Sequence, residues 1–469
     1  MTTFQAPRAA LTTLWRELAL AETALDYVEL LGAEPALPSS FAVGTVAQVS
    51  IGAAALAAAE LWKVRGGKRQ RVRVPMRHAA LEFRSERYLR LDQQPLPEIW
   101  DKIAGVYRCG DGRWVRLHTN FPHHRDGVLA LLGCAYDKDA VAHALEKWRA
   151  EEFEDAASER GLCVAMARTF AEWDEHEQGR AVAAGSLFNH HPIGLAPPKD
   201  YGRSPRPLGG IRVLDLTRII AGPVCARALA AHGADVLHVT SPHLPSIMPL
   251  VLDTGRGKRS CYLDLKTTGG RSTLESLVRE ADVFIQGYRP GSLSALGFGP
   301  ERVAELSPGI VYVSLSAYGS AGPWASRRGF DSLVQMASGI NWAEAEAAEG
   351  SPQPQRPRPL PAQALDHSAG YLMALATCVA LMRQAEQGQS WHVELSLARC
   401  GHWLRSLGRE PAGLAAADPP FADVRDVIER SASGFGSLEA VRHAAQMERT
   451  AARWELPSVP LGSDAPIWR

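Results

Sequence analysis

The sequence predicts an α/β protein: a doubly wound parallel sheet, with a smaller α+β unit ahead of it. Three observations carry this. From residue 211, Ile211-Arg-Val-Leu-Asp-Leu216 reads as a strand, 224–232 as a helix closing at Gly233, and Asp235-Val-Leu-His-Val239 as a second strand. Strand–helix–strand at this spacing gives parallel pairing, because a parallel neighbour needs a crossover connection. The alternation then continues, with a helix over 271–280, a strand over 282–285, a helix over 300–306 and a strand over 310–315. Upstream, residues 105–118 alternate on either side of Gly110-Asp111-Gly112, a hairpin signal, and helical stretches follow it.

Taken in order, the chain divides into residues 1–92, a mostly helical segment; 93–188, the small α+β unit; 189–208, a linker rich in Pro, Gly, His and Ser; 209–410, the sheet domain; and 411–469, a tail of mixed helix and loop. Within the first segment, 9–32 carries apolar residues at helical spacing and ends at Gly32, a C-cap position. An apolar helix over 49–63 follows, then the basic turn Arg65–Gln70, then the alternating strand Val72-Arg-Val-Pro75. The small unit adds helices at 125–133, 138–149, 150–160 and 168–178, with a strand at 162–166.

Length and charge narrow the function classes. A chain of 469 residues with 51 Lys plus Arg against 51 Asp plus Glu is long enough for several cores and has no net charge. That removes any electrostatic reason to expect nucleic acid or an anionic membrane as partner. Seven cysteines without a C-x-x-C pair suggest reduced thiols and a cytoplasmic location. No signal peptide is expected at the N-terminus, and Phe41–Trp62 reads as a core helix rather than a membrane span.

Chemistry concentrates at Pro361-Ala-Gln-Ala-Leu-Asp-His-Ser-Ala-Gly370, which leads from a Pro-rich loop into the Ala/Leu-rich segment 371–382. Asp366 falls where that helix begins. It reads either as an N-cap, accepting backbone N–H bonds, or as a carboxylate nucleophile kept ionised by the positive end of the helix dipole. The first 90 residues echo this stretch: Gln48 falls on Asp366, Ser50 on Ser368 and Gly52 on Gly370, each before an apolar helix. The first copy has lost the carboxylate.

Other motifs suit an anionic nucleotide. Arg256, Lys258 and Arg259 form a basic cluster that reads as a phosphate-pairing turn or as a solvated one. Ile219-Ile220-Ala221-Gly-Pro223 starts a helix whose N–H groups suit an anion, or is simple helix initiation. Tyr288 and Arg289 follow the strand 282–285. NAD is disfavoured: G-x-G-x-x-G is absent, and the second strand runs into Thr240 with no acid to hold a ribose. His118, His123, His124 and His190-His191 lack metal-ligand spacing, so no metal is expected.

Together, Val213-Leu-Asp-Leu-Thr-Arg-Ile-Ile-Ala-Gly-Pro223, Gly257-Lys-Arg-Ser260, Arg289-Pro-Gly291, Leu296-Gly-Phe-Gly299, Ser314-Leu-Ser-Ala-Tyr-Gly319, Gly329-Phe-Asp331 and the Asp366 segment follow one another in a familiar order. The chain resembles class III CoA-transferases, a family that includes formyl-CoA and carnitine CoA-transferases and the alpha-methylacyl-CoA racemases. The resemblance is strong over about 210–405. It implies a Rossmann-like sheet domain and transfer of CoA between an acyl-CoA and a small carboxylic acid. Asp366 would pass through an aspartyl-CoA thioester. Ile219, Ile220, Ala221, Arg256, Lys258, Arg259, Tyr288 and Arg289 would contact CoA, a substrate rather than a permanently bound cofactor. Family racemases place a His where this chain has Phe330, which favours transfer over racemisation. The small domain here precedes the sheet domain, the reverse of the family order. Homodimerisation is expected. A racemase or isomerase, or a non-catalytic CoA-binding scaffold, are the alternatives.

Overall fold

The computed structural model describes residues 5–410 and 412–469. Its centre is a seven-stranded sheet in the order Lys258–Tyr262, Asp235–Thr240, Arg212–Leu216, Val283–Gln286, Val311–Ser316, Ser390–Ser396 and Asn189–Gly194. The first six are parallel and the last is antiparallel. Alternate residues face two cores. Val213, Val236, Val283 and Val311 meet the helices Ala221–Ala231 and Ala364–Gln387. Leu214, Leu237 and Phe284 meet Leu274, Leu277 and Val303 from the helices Thr268–Val278 and Pro300–Leu306. This is the doubly wound arrangement. Its order reverses between Arg212–Leu216 and Val283–Gln286, where ligands bind beyond the carboxyl ends of the strands.

The small unit is a three-stranded antiparallel sheet, Gly105–Arg108, Trp114–Leu117 and Val164–Met166, with three helices over a separate core around Val115, Val141 and Phe153.

Several local expectations change. Residues 9–32 are not one helix: Pro7–Glu17 is helical, Ala19 takes φ 54°, and Val28–Leu31 is a strand parallel to Val72–Pro75. The linker contributes a strand, Asn189–Gly194, to the main sheet. The tail completes the fold rather than trailing from it. Its hairpin Ile428–Ser433/Gly436–Val441 pairs with Arg90–Leu91, and Gln446–Met447 pairs with Val72–Pro75. Residues 456–467 then run along the edge strand Lys258–Tyr262, with bonds such as Asp464 N–H to Ser260 O (2.8 Å).

The two apolar helices, Val43–Val64 and Ala364–Gln387, are long and apolar enough to span a bilayer. Both are buried inside the protein, packed on each other. Each is followed by a turn, a strand and a further helix, and each starts above a parallel strand pair. At the position matching Asp366, Gln48 is fully buried and its amide donates to the carbonyls of Leu31 and Val74. It ties strand ends together inside the core.

Candidate active site

Asp366 lies in the first turn of Ala364–Gln387, but it does not cap that helix. The N-cap position belongs to Gln363, and the cap is supplied from elsewhere. Asp331, at the start of the helix Asp331–Ala337, accepts the backbone N–H groups of Leu365 (2.8 Å) and Asp366 (2.9 Å) through Oδ2, and Oδ1 accepts the Gln335 amide. The helix terminus therefore spends its free donors on a neighbouring carboxylate. Among the described residues no hydrogen bond reaches the Asp366 carboxylate, which is left to face the cleft.

That corrects the expectation of an Asp366 ionised by its own helix. Burial, then the charge of Asp331, then that of Glu86, push its pKa well above the ordinary aspartate value. Burial also raises Asp331, but the N–H groups and Gln335 pull it back. Of two carboxylates sharing a site, the one with three donors keeps its charge and the one with none takes the proton. The balance of donors therefore favours protonation of Asp366 over Asp331.

The cleft holds ≈ 1330 Å³ of open space. Asp366, Ile219, Ile220, Ala221, Tyr288 and Arg289 all line it, so the structure brings six of the sequence-derived residues to one place. The switch point explains how: Ile219–Ala221 follow the carboxyl end of Arg212–Leu216, and Tyr288 and Arg289 follow that of Val283–Gln286. The helix Ala221–Ala231 begins at the cleft wall, and the first N–H groups of a helix have no intrahelical acceptor. Ile219 takes φ 76°, a conformation that a β-branched residue adopts only when its surroundings impose it. The helix that this loop starts is closely packed: a Cβ on Gly370 would lie 2.6 Å from Ala221 O and 2.7 Å from Val224 Cβ. Gly370 thus lets the helix that carries Asp366 seat directly on the loop's helix.

The small unit forms the opposite wall through Phe121, His123, His124 and Cys163. Phe330 also lines the cleft and stacks on His118 at 3.8 Å. Arg328 crosses between the units, donating to Gly161 O (2.7 Å) and to His124 Nε2 (3.1 Å). Burial, then His123, Arg328 and Arg218, push the His124 pKa down to about 3, so its ring is neutral and accepts. His367 faces away from the cleft, fully buried on Glu86 (3.2 Å).

The basic cluster is a second correction. Lys258 and Arg259 belong to a strand, and Arg256 precedes it; all three are buried and partnered by the protein. Lys258 Nζ donates to Asp215 Oδ2 (2.7 Å) and Pro223 O (2.8 Å). Arg256 holds Asp253 (2.8 Å) and Val441 O (2.7 Å) and stacks over Trp454. Arg259 holds Asp235 (3.0 Å) and Ile467 O (2.6 Å). None is a free phosphate clamp, because strand alternation turns 258 and 259 to opposite faces and the C-terminal strap covers them. Lys258 and Arg259 do floor a second cavity of ≈ 620 Å³, lined also by Thr217, His238, Thr240 and Leu461. It shares Arg218, Ile219 and Leu244 with the cleft.

Sequence reasoning missed Asp331, Arg218 and Arg328. Asp331 stood inside Gly329-Phe-Asp331, where attention fell on Phe330, and an acidic residue at a helix start was a usable signal. Arg218 stood inside the quoted loop. Arg328 had no signal, since its partners come from the other unit.

A carboxylate held at a switch point, beside open helix N–H groups and joined to a second cavity, defines a ligand-binding α/β site. Comparison with known proteins gives the family. Residues 208–410, the sheet domain, match the model of CoA-transferase family III, so that domain is of this family. It is similar to an acyl-CoA transferase of Gibberella moniliformis, 31% identical over 365 residues, covering 69% of this chain and 63% of that protein. It is also similar to the human succinyl-CoA:glutarate CoA-transferase, 34% identical over 147 residues, covering 29% and 34%. Among solved structures, Rv3272 of Mycobacterium tuberculosis aligns over 43% of this chain and 56% of that one, with 33% identity and a TM-score of 0.39. The chain thus spans less than two thirds of the length of these relatives.

Proposed function

We propose that this chain transfers CoA from an acyl-CoA donor to a carboxylic acid acceptor through a thioester on Asp366. The observation that carries the reading is the placement of Asp366: relieved of capping by Asp331, its carboxylate without a hydrogen-bond partner among the described residues, it opens into a cleft that shares Arg218, Ile219 and Leu244 with a second cavity. Arg218 and Arg289 stand where the two strands of the switch point end, suited to the diphosphate of CoA. Arg289 is exposed.

The reaction follows from that placement. The ionised Asp366 oxygen attacks the thioester carbon, CoA thiolate leaves, and a mixed anhydride joins Asp366 to the acyl group. The thiolate then attacks the aspartyl carbonyl, releasing the donor acid and leaving aspartyl-CoA. The acceptor carboxylate attacks that thioester, giving a second anhydride and free thiolate. Attack of the thiolate on the acceptor carbonyl yields the new acyl-CoA and restores the Asp366 carboxylate. The N–H groups of Ala221 and Gly222, at the cleft wall, suit the oxyanions that form on the way. Deprotonation of Asp366 precedes the first attack.

Homodimerisation and a cytoplasmic location remain part of the proposal, and sedimentation velocity tests the former. Incubation with candidate acyl-CoAs, followed by hydroxylamine or borohydride and peptide mapping, tests the chemistry. A hydroxamate or alcohol at Asp366 supports transfer. Exchange of the α-hydrogen for deuterium without an adduct supports a racemase, with His123 or His124, which line the cleft, as the imidazole. CoA binding with neither result supports a scaffold.

A further inference from the structure

The fold brings together three side chains that no sequence window contains. His191 lies on the sheet's antiparallel edge strand, and His392 and Glu394 lie two residues apart on its neighbour. His392 stands opposite His191 in the register, and Glu394 opposite Asn189, so the four side chains share one face. One ligating atom each of His191, His392 and Glu394 lies within 4.8 Å of the other two. We propose that His191, His392 and Glu394 form a divalent transition-metal site, best suited to zinc, on the wall of a polar chamber beside the catalytic cleft.

The donor set and its support both fit. Two imidazoles and one carboxylate satisfy zinc while leaving a coordination position open. Each ligand on the inner strand is held from behind. Ser314 Oγ meets His392 Nε2 at 2.8 Å and is itself held by the Gln286 amide at 3.0 Å. The Asn189 amide donates to Glu394 Oε2 at 2.6 Å. Contacts of this kind fix ring orientation and tautomer in metal sites, and with Nε2 occupied the other nitrogen of His392 is the one available to an ion. Tetrahedral zinc brings ligand atoms to about 3.4 Å of one another, given bonds of roughly 2.0–2.1 Å. Rotamer adjustment at the half-buried His191 and Glu394 closes the remaining gap.

His392, Glu394, Gln286 and Ser314 line a chamber of ≈ 790 Å³. Tyr288, Arg289, Leu315 and Ser316 line both this chamber and the cleft, so an ion here would face the space through which substrates pass. Arg399 lines the same chamber and feels the charge of Glu394, which makes it the rival counter-ion.

The test uses the full chain without a histidine tag, stripped with chelator, equilibrated with zinc or cobalt(II), gel-filtered and assayed by elemental mass spectrometry. Wild type should retain one equivalent, and cobalt should show the intense visible bands of a low-symmetry site. H191A and E394Q should each weaken binding by about 100-fold, and S314A by about 10-fold. H143A, at an exposed histidine, should change nothing. Wild type that retains no ion overturns the site without recourse to any variant, as does retention unchanged in H191A and E394Q; Arg399 would then be the partner of Glu394.

Discussion

Replacing Asp331 with Asn removes one charge and keeps an oxygen that can accept from the N–H groups of Leu365 and Asp366. Asp331 Oδ2 is 2.9 Å from Asp366 N, which places the two carboxylates close together. At a separation of roughly 5 Å and an effective dielectric of about 20, two unit charges repel by roughly 3 kcal/mol. That repulsion corresponds to about 2 pH units in the ionisation of Asp366. Glu86 stays in place, so part of the upward pressure on Asp366 survives. The acidic limb of kcat/KM for CoA transfer, measured from about pH 4 to 9, should therefore move to lower pH by one to two units in D331N. The weaker cap should cost about 1 kcal/mol in stability, read from urea unfolding. A limb that stays where it is, in a variant that folds, would refute the shared-proton account of the site.

Other outcomes follow from the same structure. Asp366→Asn should abolish transfer yet raise Tm at pH 8: the raised native pKa makes the folded state bind the extra proton, so the wild type loses stability as pH rises from the unfolded value, about 3.9, through the native one. The gap between variant and wild type should close toward pH 4, measured by calorimetry. Lys258→Met should destabilise by about 3–5 kcal/mol, since it leaves Asp215 buried without its partner. A fully stable K258M with only a raised KM for CoA would restore the phosphate-clamp reading. Gly370→Val should lower both stability and kcat, because its side chain meets Ala221 O and Val224 and separates the two helices that build the cleft.

Strand–helix alternation made the sheet domain legible because each strand and its crossover are local in sequence. Residues 28–31 were hidden within a helical pattern since their apolar spacing fits either period over so short a run. Their strand character comes from pairing with 72–75. The tail was opaque for a related reason: beyond its own hairpin, the partners of 438–439 and 446–447 lie some 350 residues earlier. At the site, Asp366, the 219–221 loop and residues 288–289 were readable because each sits at an element's end, where chemistry and turn signals coincide. The 256–259 cluster misled because charge in sequence carries no information about burial; Asp215, Asp235 and Asp253 neutralise it only once the fold is formed. Asp331 reaches Asp366 across 35 positions, and no local pattern announces that two carboxylates will share a proton.

Oxygen labelling interrogates the covalent step itself. An acceptor acid carrying ¹⁸O in its carboxylate is turned over with an acyl-CoA, and the protein is digested and mass-mapped. Exchange through two anhydrides leaves one heavy oxygen in the side chain of Asp366 after a single turnover, up to two after repeated turnovers, and none elsewhere in the chain. CoA transfer with no label in the protein would show that donor and acceptor react directly, and would contradict the role given to Asp366.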